Sequence, residues 1–160
     1  GSSNAVNLTD GLDGLAGSLS AIAFIAFALI SFMVGFEDIG IFCLVLVGSL
    51  IGFLVYNTHP AKIFMGDTGS LALGGVMGAV AILTHRELTL LVVALVFVIE
   101  TLSVILQVIW VKLFHHKLFL MTPLHHHFEK LGWSETDIVK LFCTFGLILA
   151  MLGILFGVWL

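Results

Sequence analysis

Charge is what this sequence has least of. Only 10% of its 160 residues are charged, whereas 60% are hydrophobic and the mean hydropathy is +1.20. A soluble domain carries about 25% charged residues, so most of this surface is predicted to face lipid. There is no basic run, and the net charge is −4. Both features argue against a nucleic-acid partner.

Cysteine is also scarce, and the first residues do not have the pattern of a secretory leader. Cys43 and Cys143 both lie in apolar stretches, which favours packing or lipid-facing roles over a disulfide or a metal pair. No positively charged segment followed by a short apolar core begins the chain, so a signal peptide is not indicated. The chain starts abruptly in a polar motif, and we expect a further segment to precede it.

Long apolar stretches predict the fold class: an all-α, polytopic membrane protein with about five transmembrane helices. A membrane helix needs about 20 mostly apolar residues. The chain is interpreted as one transmembrane domain, 1–160, in which the third span is short and glycine-rich. The spans are predicted at roughly 15–36, 39–56, 68–84, 88–111 and 138–160, and the loops of one side at 1–14, 57–70 and 112–137.

The cationic side chains predict the orientation. One side of the alternating spans carries Arg86 alone, and the other carries Lys62, Lys112, Lys117, Lys130 and Lys140. The positive-inside rule places the lysine side in the cytoplasm. That side also holds six of the seven histidines and most of the loop carboxylates. We therefore expect a site at the cytoplasmic surface of the membrane.

The first motif is Asn-Ala-Val-Asn-Leu-Thr-Asp-Gly-Leu-Asp-Gly at 4–14. Its Asn7, Asp10 and Asp13 share a face if the segment is helical; if it is a turn, the glycines let the backbone approach a ligand. A cation or a polar substrate group is one interpretation, and a capping cluster before the first span is the other. Ala21 stands where an EF-hand starting at Asp10 needs glutamate, so that calcium loop is excluded.

The second motif spans 57–70 and places Gly66, Gly69 and Ser70 around Asp67, just before a predicted helix. Backbone N–H groups at such a turn suit phosphate, and the aspartate can hold Mg²⁺, which binds one or two carboxylates together with phosphate oxygens. A capped turn without function is the alternative. The sequence lacks the Gly-Lys-Ser/Thr ending of a Walker loop.

The third motif is Pro-Leu-His-His-His-Phe-Glu at 123–129. The triplet could bind or position phosphate groups, could form a zinc site, or could be a solvated loop. Zinc is disfavoured because adjacent residues of a helix point in different directions. Farther upstream, Glu100, Ser103 and Gln107 lie on one face of the fourth span, where interhelical hydrogen bonding and a functional role are equally open.

These three motifs, in this order, resemble those of the polyprenyl-phosphate N-acetylhexosamine-1-phosphate transferases. The unbroken histidine triplet favours members that use a muramoyl-pentapeptide donor. The resemblance covers the whole chain and implies half of a ten-helix fold, a cytoplasmic active site, Mg²⁺ and a homodimer. It also implies a reaction in which UDP-N-acetylmuramoyl-pentapeptide and undecaprenyl phosphate give lipid I and UMP, in peptidoglycan biosynthesis.

The resemblance also assigns residues. It makes Asp67 the magnesium ligand and Asp10 a catalytic aspartate near the pyrophosphate, and it matches the triplet to the family's histidine motif, of His125, His126 and His127. It places seven further positions around nucleoside and sugar: Asn7, Asp13, Asn57, Phe64, Gly66, Ser70 and Gln107. The family's Asp-Asp-x-x-Lys motif is absent because no Asp-Asp pair occurs here. We therefore expect an N-terminal half to be missing and the chain alone to be inactive.

Three alternatives stay open. A sister transferase would use UDP-N-acetylglucosamine. A transporter would use Glu100, Gln107 and the glycine-rich third span, although the polar residues gather at one membrane face and form no ladder through the bilayer. A non-catalytic membrane subunit would bind zinc through its histidines.

Overall fold

A computed structural model describes residues 1–159, and within that range all regular structure is helical. Five of its helices are long and apolar enough to cross a membrane: α2, α3, α4, α6 and α8. The predicted all-α, five-span fold class is confirmed. The helices are α1 (Ser2–Thr9), α2 (Leu15–Met33), α3 (Glu37–Asn57), α4 (Gly66–Leu83), α5 (Glu87–Val93), α6 (Leu95–Phe114), α7 (Leu124–Lys130) and α8 (Glu135–Trp159).

Helix α2 forms the centre of the bundle. Of its most apolar 18 residues 72% are buried, against 22–28% in the other four membrane-length helices. Phe24, Phe27 and Ile30 of this helix are fully buried, and α3 and α8 pack on it. The outer helices instead expose large apolar side chains such as Val45 and Leu155. This distribution is that of a bundle with lipid as its outer solvent.

The fourth predicted span, 88–111, is not one helix. The structure breaks it at Ala94, where φ is −96° and ψ is 18°. The preceding helix α5 packs on α8, and the following helix α6 packs on α1. Val93 lies so close to Gly153 of α8 that a Cβ atom at that glycine would collide with it. The last predicted span begins earlier than expected, at Glu135, and its predicted end, Leu160, lies outside the described residues.

Two short helices lie inside segments predicted as loops. Helix α1 occupies most of 1–14 and packs against α4 and α6. Its close approach to α4 requires glycine, because a Cβ at Gly74 would lie 2.6 Å from the Cα of Ser3. Helix α7 lies within 112–137 and contacts α6 and α8. The approach of α1 to α4 determines what stands beside Asp67.

The connections alternate between two ends of the bundle. At one end the α2–α3 and α4–α5 turns meet, and the rings of Phe36 and His85 are 6.4 Å apart. Arg86 there donates from Nε to the carbonyl of Gly157 at 2.6 Å. The opposite end contains all three sequence motifs. We call it the site end, and it comprises 1–14, 57–67 and 115–135.

Candidate functional site

A cavity of about 290 Å³ opens at the site end, between the turn after α1 and the first turn of α4. It brings the first two sequence motifs together from opposite sides. Three carboxylates face it, and a single large apolar ring, Phe64, stands beside them. Its lining residues are Asn7, Asp10, Gly11, Leu12, Asp13, Asn57, Phe64, Met65, Gly66 and Asp67.

Asn7 joins the two motifs directly. Its Nδ2 donates to Oδ1 of Asp67 at 2.9 Å and to Oγ of Ser70 at 3.0 Å. Ser70 in turn donates to the carbonyl of Gly66 at 3.0 Å. Gly66 begins α4 with a φ of +67°, a conformation that residues with a Cβ rarely adopt. The glycine turn and the amide of Asn7 thus fix the orientation of the Asp67 carboxylate.

Asp10 and Asp67 face the same space. Partial burial, and then the negative charge of Asp67, raise the pKa of the Asp10 carboxyl above its ordinary value. A cation between two such carboxylates would relieve both effects. Carboxylate oxygens are the ligands that Mg²⁺ prefers, and it completes its shell with water and phosphate oxygens. The donor set of this cavity therefore fits a magnesium ion.

Asp13 belongs to a second cluster beside the cavity. Its Oδ2 accepts from the backbone N–H of Ala61 at 2.9 Å and lies 3.2 Å from Nδ1 of His59. Glu135 completes the cluster, with Oε2 at 3.1 Å from the same Nδ1. Oε1 of Glu135 accepts the backbone N–H of Asp13 at 2.6 Å. The cluster ties the turn after α1 to the α3–α4 loop and to the start of α8.

His59 and Glu135 were not predicted as site residues. They stand 46 and 122 positions from Asp13, and no spacing rule relates such distant positions. The only signal for His59 was its place on the predicted cytoplasmic side. Glu135 begins a helix, where an acidic residue is ordinary, so nothing in the sequence marked it.

Asn57 lines the cavity but uses its amide on the backbone. Oδ1 accepts from the N–H of Gly14 at 3.1 Å, and Nδ2 donates to the carbonyl of Ile63 at 2.9 Å. The residue is only 4% exposed. It therefore braces the two cavity-forming turns against each other. Phe64, by contrast, is 76% exposed, and its ring is free to stack on a flat ligand.

The histidine triplet does not line the cavity. Each imidazole faces a different partner: His125 lies fully buried beside Glu100, His126 pairs with the carboxylate of Glu129, and His127 accepts the backbone N–H of Leu120 at 3.1 Å through Nδ1. The ring of His125 abuts Gly11 from behind the cavity wall. In this structure His125 is thus in contact with a lining residue.

Gln107 is also outside the cavity lining. Its Oε1 accepts the backbone N–H groups of Leu118 and Phe119 at 3.1 and 2.9 Å, and its Nε2 donates to the carbonyl of Phe119 at 3.0 Å. It therefore holds the segment 115–123 in place. Of the seven residues predicted around nucleoside and sugar, five line the cavity, Ser70 supports it through Asn7, and Gln107 does neither.

The fold and the site together define a polytopic membrane protein with an acidic, glycine-bounded pocket at one end of its helical bundle. The family model described as glycosyl transferase family 4 matches residues 1–85, more than half of the chain, and the chain belongs to that family. The family resemblance drawn from the three motifs is thereby confirmed.

Curated relatives extend the match to the full chain. A protein from Shouchella clausii and one from Geobacillus thermodenitrificans are each 58% identical over 160 residues, which are 100% of this chain and 49% of the relative. One from Staphylococcus aureus is 56% identical over 158 residues, 99% of this chain and 49% of the relative. All three are named phospho-N-acetylmuramoyl-pentapeptide-transferase. The chain spans about half the length of these relatives.

Proposed function

We propose that this chain forms one half of an enzyme that moves phospho-N-acetylmuramoyl-pentapeptide from its UDP donor to undecaprenyl phosphate. The products are lipid I and UMP, and the pathway is peptidoglycan synthesis, with its consequences for cell shape and division. One observation carries the proposal: Asn7, Asp10 and Asp67 converge on one acidic cavity in a chain 58% identical to transferases of that name.

The cavity supports a magnesium role for Asp67. Its carboxylate would hold Mg²⁺, with Asp10 opposite and Asn7 fixing one oxygen. When bound, the ion would neutralise the charge that builds up on the donor pyrophosphate. Phosphoryl transfer depends mainly on positioning and charge neutralisation, so the residues of this chain act by binding and orienting.

The other lining residues fit a nucleotide-sugar. Helix α4 begins at Gly66, which lines the cavity, and the free backbone N–H groups of a helix N-terminus favour phosphate. The exposed ring of Phe64 suits stacking against a uracil base. A lipid phosphate oxygen would attack the β-phosphorus in line, and UMP would leave. Asp10 would orient the reacting groups or, in a two-step variant, act as the nucleophile; both routes stay open.

Location and assembly belong to the same proposal. Lysines stand on the side of the site end and Arg86 on the other, which supports a bacterial inner-membrane protein whose site faces the cytoplasm. The chain covers half of its relatives, and no Asp-Asp pair occurs in it. We infer that an upstream half supplies further metal and lipid-phosphate ligands, that this chain alone is inactive, and that the complete enzyme is a homodimer.

UMP release tests the proposal. This chain would be joined to the upstream half of the Geobacillus thermodenitrificans relative and supplied with UDP-N-acetylmuramoyl-pentapeptide, undecaprenyl phosphate and Mg²⁺. UDP-N-acetylglucosamine serves as the parallel donor, and this chain alone as the control. Release with the muramoyl donor from the joined enzyme only is the expected result.

Two other outcomes would contradict it. Release with UDP-N-acetylglucosamine only would assign the chain to a sister transferase. No release from folded enzyme with either donor, together with solute flux in liposomes, would favour a transporter.

A further inference from the structure

A carboxyl group lies buried inside the bundle without a role in the function proposed above. Glu100 sits in α6, one of the membrane-length helices, and its side chain is fully buried. Placing an ionisable side chain at membrane depth costs free energy, and such a side chain usually pairs with another polar group. The partner of Glu100 therefore shows what the residue does.

That partner is His125. Oε1 of Glu100 accepts the backbone N–H of His125 at 3.2 Å, and Oε2 lies 3.3 Å from Nδ1 of its imidazole. The imidazole is also fully buried. One carboxyl group thus hydrogen-bonds to the main chain of His125 and lies against its imidazole, although Oε2 and Nδ1 approach without hydrogen-bond geometry. This two-point contact sets the start of α7 against α6.

The far edge of the imidazole touches the cavity wall. A Cβ atom added to Gly11 would collide with Nε2 of His125. Gly11 is not among the glycines with positive φ, which are Gly14, Gly35, Gly66 and Gly132. The missing side chain at position 11 therefore serves the contact with the ring rather than an unusual backbone conformation. Gly11 stands directly after Asp10 in the turn that lines the cavity.

We propose that Glu100 is a positioning residue which, through His125, fixes the turn carrying Asp10 and Asp13. Glu100 does not line the cavity, so any effect it has on the chemistry passes through that imidazole. The predicted effect on turnover rests on the proposed function; the effect on the turn does not. Misplacing a reacting group by about 1 Å can cost roughly 100-fold in rate.

Three variants of the joined enzyme test this. Glu100→Leu removes both contacts, whereas Glu100→Gln keeps an acceptor for the backbone N–H of His125. Thr101→Val is the matched control, because that hydroxyl bonds only within α6, to the carbonyl of Phe97. We expect kcat for UMP release to fall about 30- to 100-fold in Glu100→Leu, less than about five-fold in Glu100→Gln, and less than about two-fold in the control.

Hydrogen exchange separates this proposal from the proposed function, because it needs no turnover. In the joined protein, peptides covering 9–14 and 124–128 should exchange about ten-fold faster in Glu100→Leu, with other peptides and the Thr101→Val protein unchanged. An unsubstituted enzyme that releases no UMP would sink the proposed function while leaving this readout valid. Unchanged exchange at 9–14, a uniform rise along the chain, or a kcat within three-fold of the parent would overturn the positioning role.

A second route covers the case in which Glu100→Leu does not fold. Gly11→Ala pushes the same imidazole from the opposite side. If Glu100 acts through His125 on the turn, the effects of Glu100→Gln and Gly11→Ala on kcat will be non-additive, since they share one partner. Strictly additive effects would contradict the proposal.

Discussion

The acidic cavity between α1 and α4 differs from the 115–123 segment of the same end in how its polar side chains are partnered. In the cavity, Asp10 and Asp67 line the same space, and partial burial together with the charge of Asp67 raises the pKa of the Asp10 carboxyl. In the segment, the amide of Gln107 bonds to backbone groups through both its oxygen and its nitrogen. Unrelieved charge indicates a place for a ligand, and satisfied hydrogen bonds indicate support. The comparison separates residues that bind a ligand from residues that hold the backbone in place.

The largest effect should come from the cavity. Asp67→Asn removes a ligand charge but keeps the acceptor for Asn7, so UMP release by the joined enzyme should fall about 1,000-fold or more, with the unfolding temperature in detergent unchanged or raised. Asp38→Asn, a carboxylate change at the start of α3, is the control and should leave turnover intact. Near-normal UMP release from Asp67→Asn would refute the role given to this residue.

The next effect concerns a brace that also lines the cavity. Asn57→Ala leaves the N–H of Gly14 and the carbonyl of Ile63 without their partners, and should lower the free energy of unfolding by about 2–3 kcal/mol. Denaturant titration in mixed micelles measures this, with exposed Asn4→Ala as the control. If activity disappears while the free energy of unfolding is unchanged, then Asn57 acts on the substrate and does not brace the two turns.

Gln107 tests the opposite side of the comparison. Gln107→Ala should destabilise the protein by about 1–2 kcal/mol through its lost backbone bonds, speed hydrogen exchange at 115–123, and change kcat by less than about three-fold. Gln107→Glu keeps the acceptor for two N–H groups and should recover most of the protection. A large kcat loss without faster exchange would move Gln107 to the substrate site, as the family resemblance implies.

The smallest effect is a pH dependence at Asp10. Because the pKa of this carboxyl is raised in the fold, its contribution to stability is present below the ordinary value and is lost as pH rises through the raised one. Asp10→Asn should therefore raise the unfolding temperature at pH 7, and the gain should shrink towards pH 4. An equal gain in unfolding temperature at pH 7 and pH 4 would show that the fold does not raise the pKa of Asp10.

Hydropathy predicted the five membrane helices but not their packing. Helices α2 and α3 are similarly apolar. Yet 72% of the most apolar 18 residues are buried in α2, and only 22% in α3. The central helix carries five alanines and three serines, small residues that let neighbouring backbones approach, and that property does not register as hydropathy. The break at Ala94 could not be predicted either, because no glycine or proline marks it; it follows from packing on α8 and α1.

The motifs predicted where polar chemistry gathers, but not which atoms meet. Asn7 and Asp10 were assigned from one local pattern, Asp67 from another, and all three from the family resemblance; the cavity unites them. Nothing in the sequence distinguished whether Gln107 supports the backbone or binds a ligand, because a glutamine amide can do both. Glu135 joined the Asp13 cluster only through the fold of a distant helix. Such long-range partners lie beyond what spacing can show.

The most direct test of the central claim is a titration of the joined enzyme with Mn²⁺, a paramagnetic stand-in for Mg²⁺, followed by electron paramagnetic resonance. The account predicts bound Mn²⁺ in the unsubstituted and Gln107→Ala proteins, and its loss in Asp67→Asn. Undiminished Mn²⁺ binding by folded Asp67→Asn, or loss in Gln107→Ala alone, would contradict the claim that this cavity holds the metal.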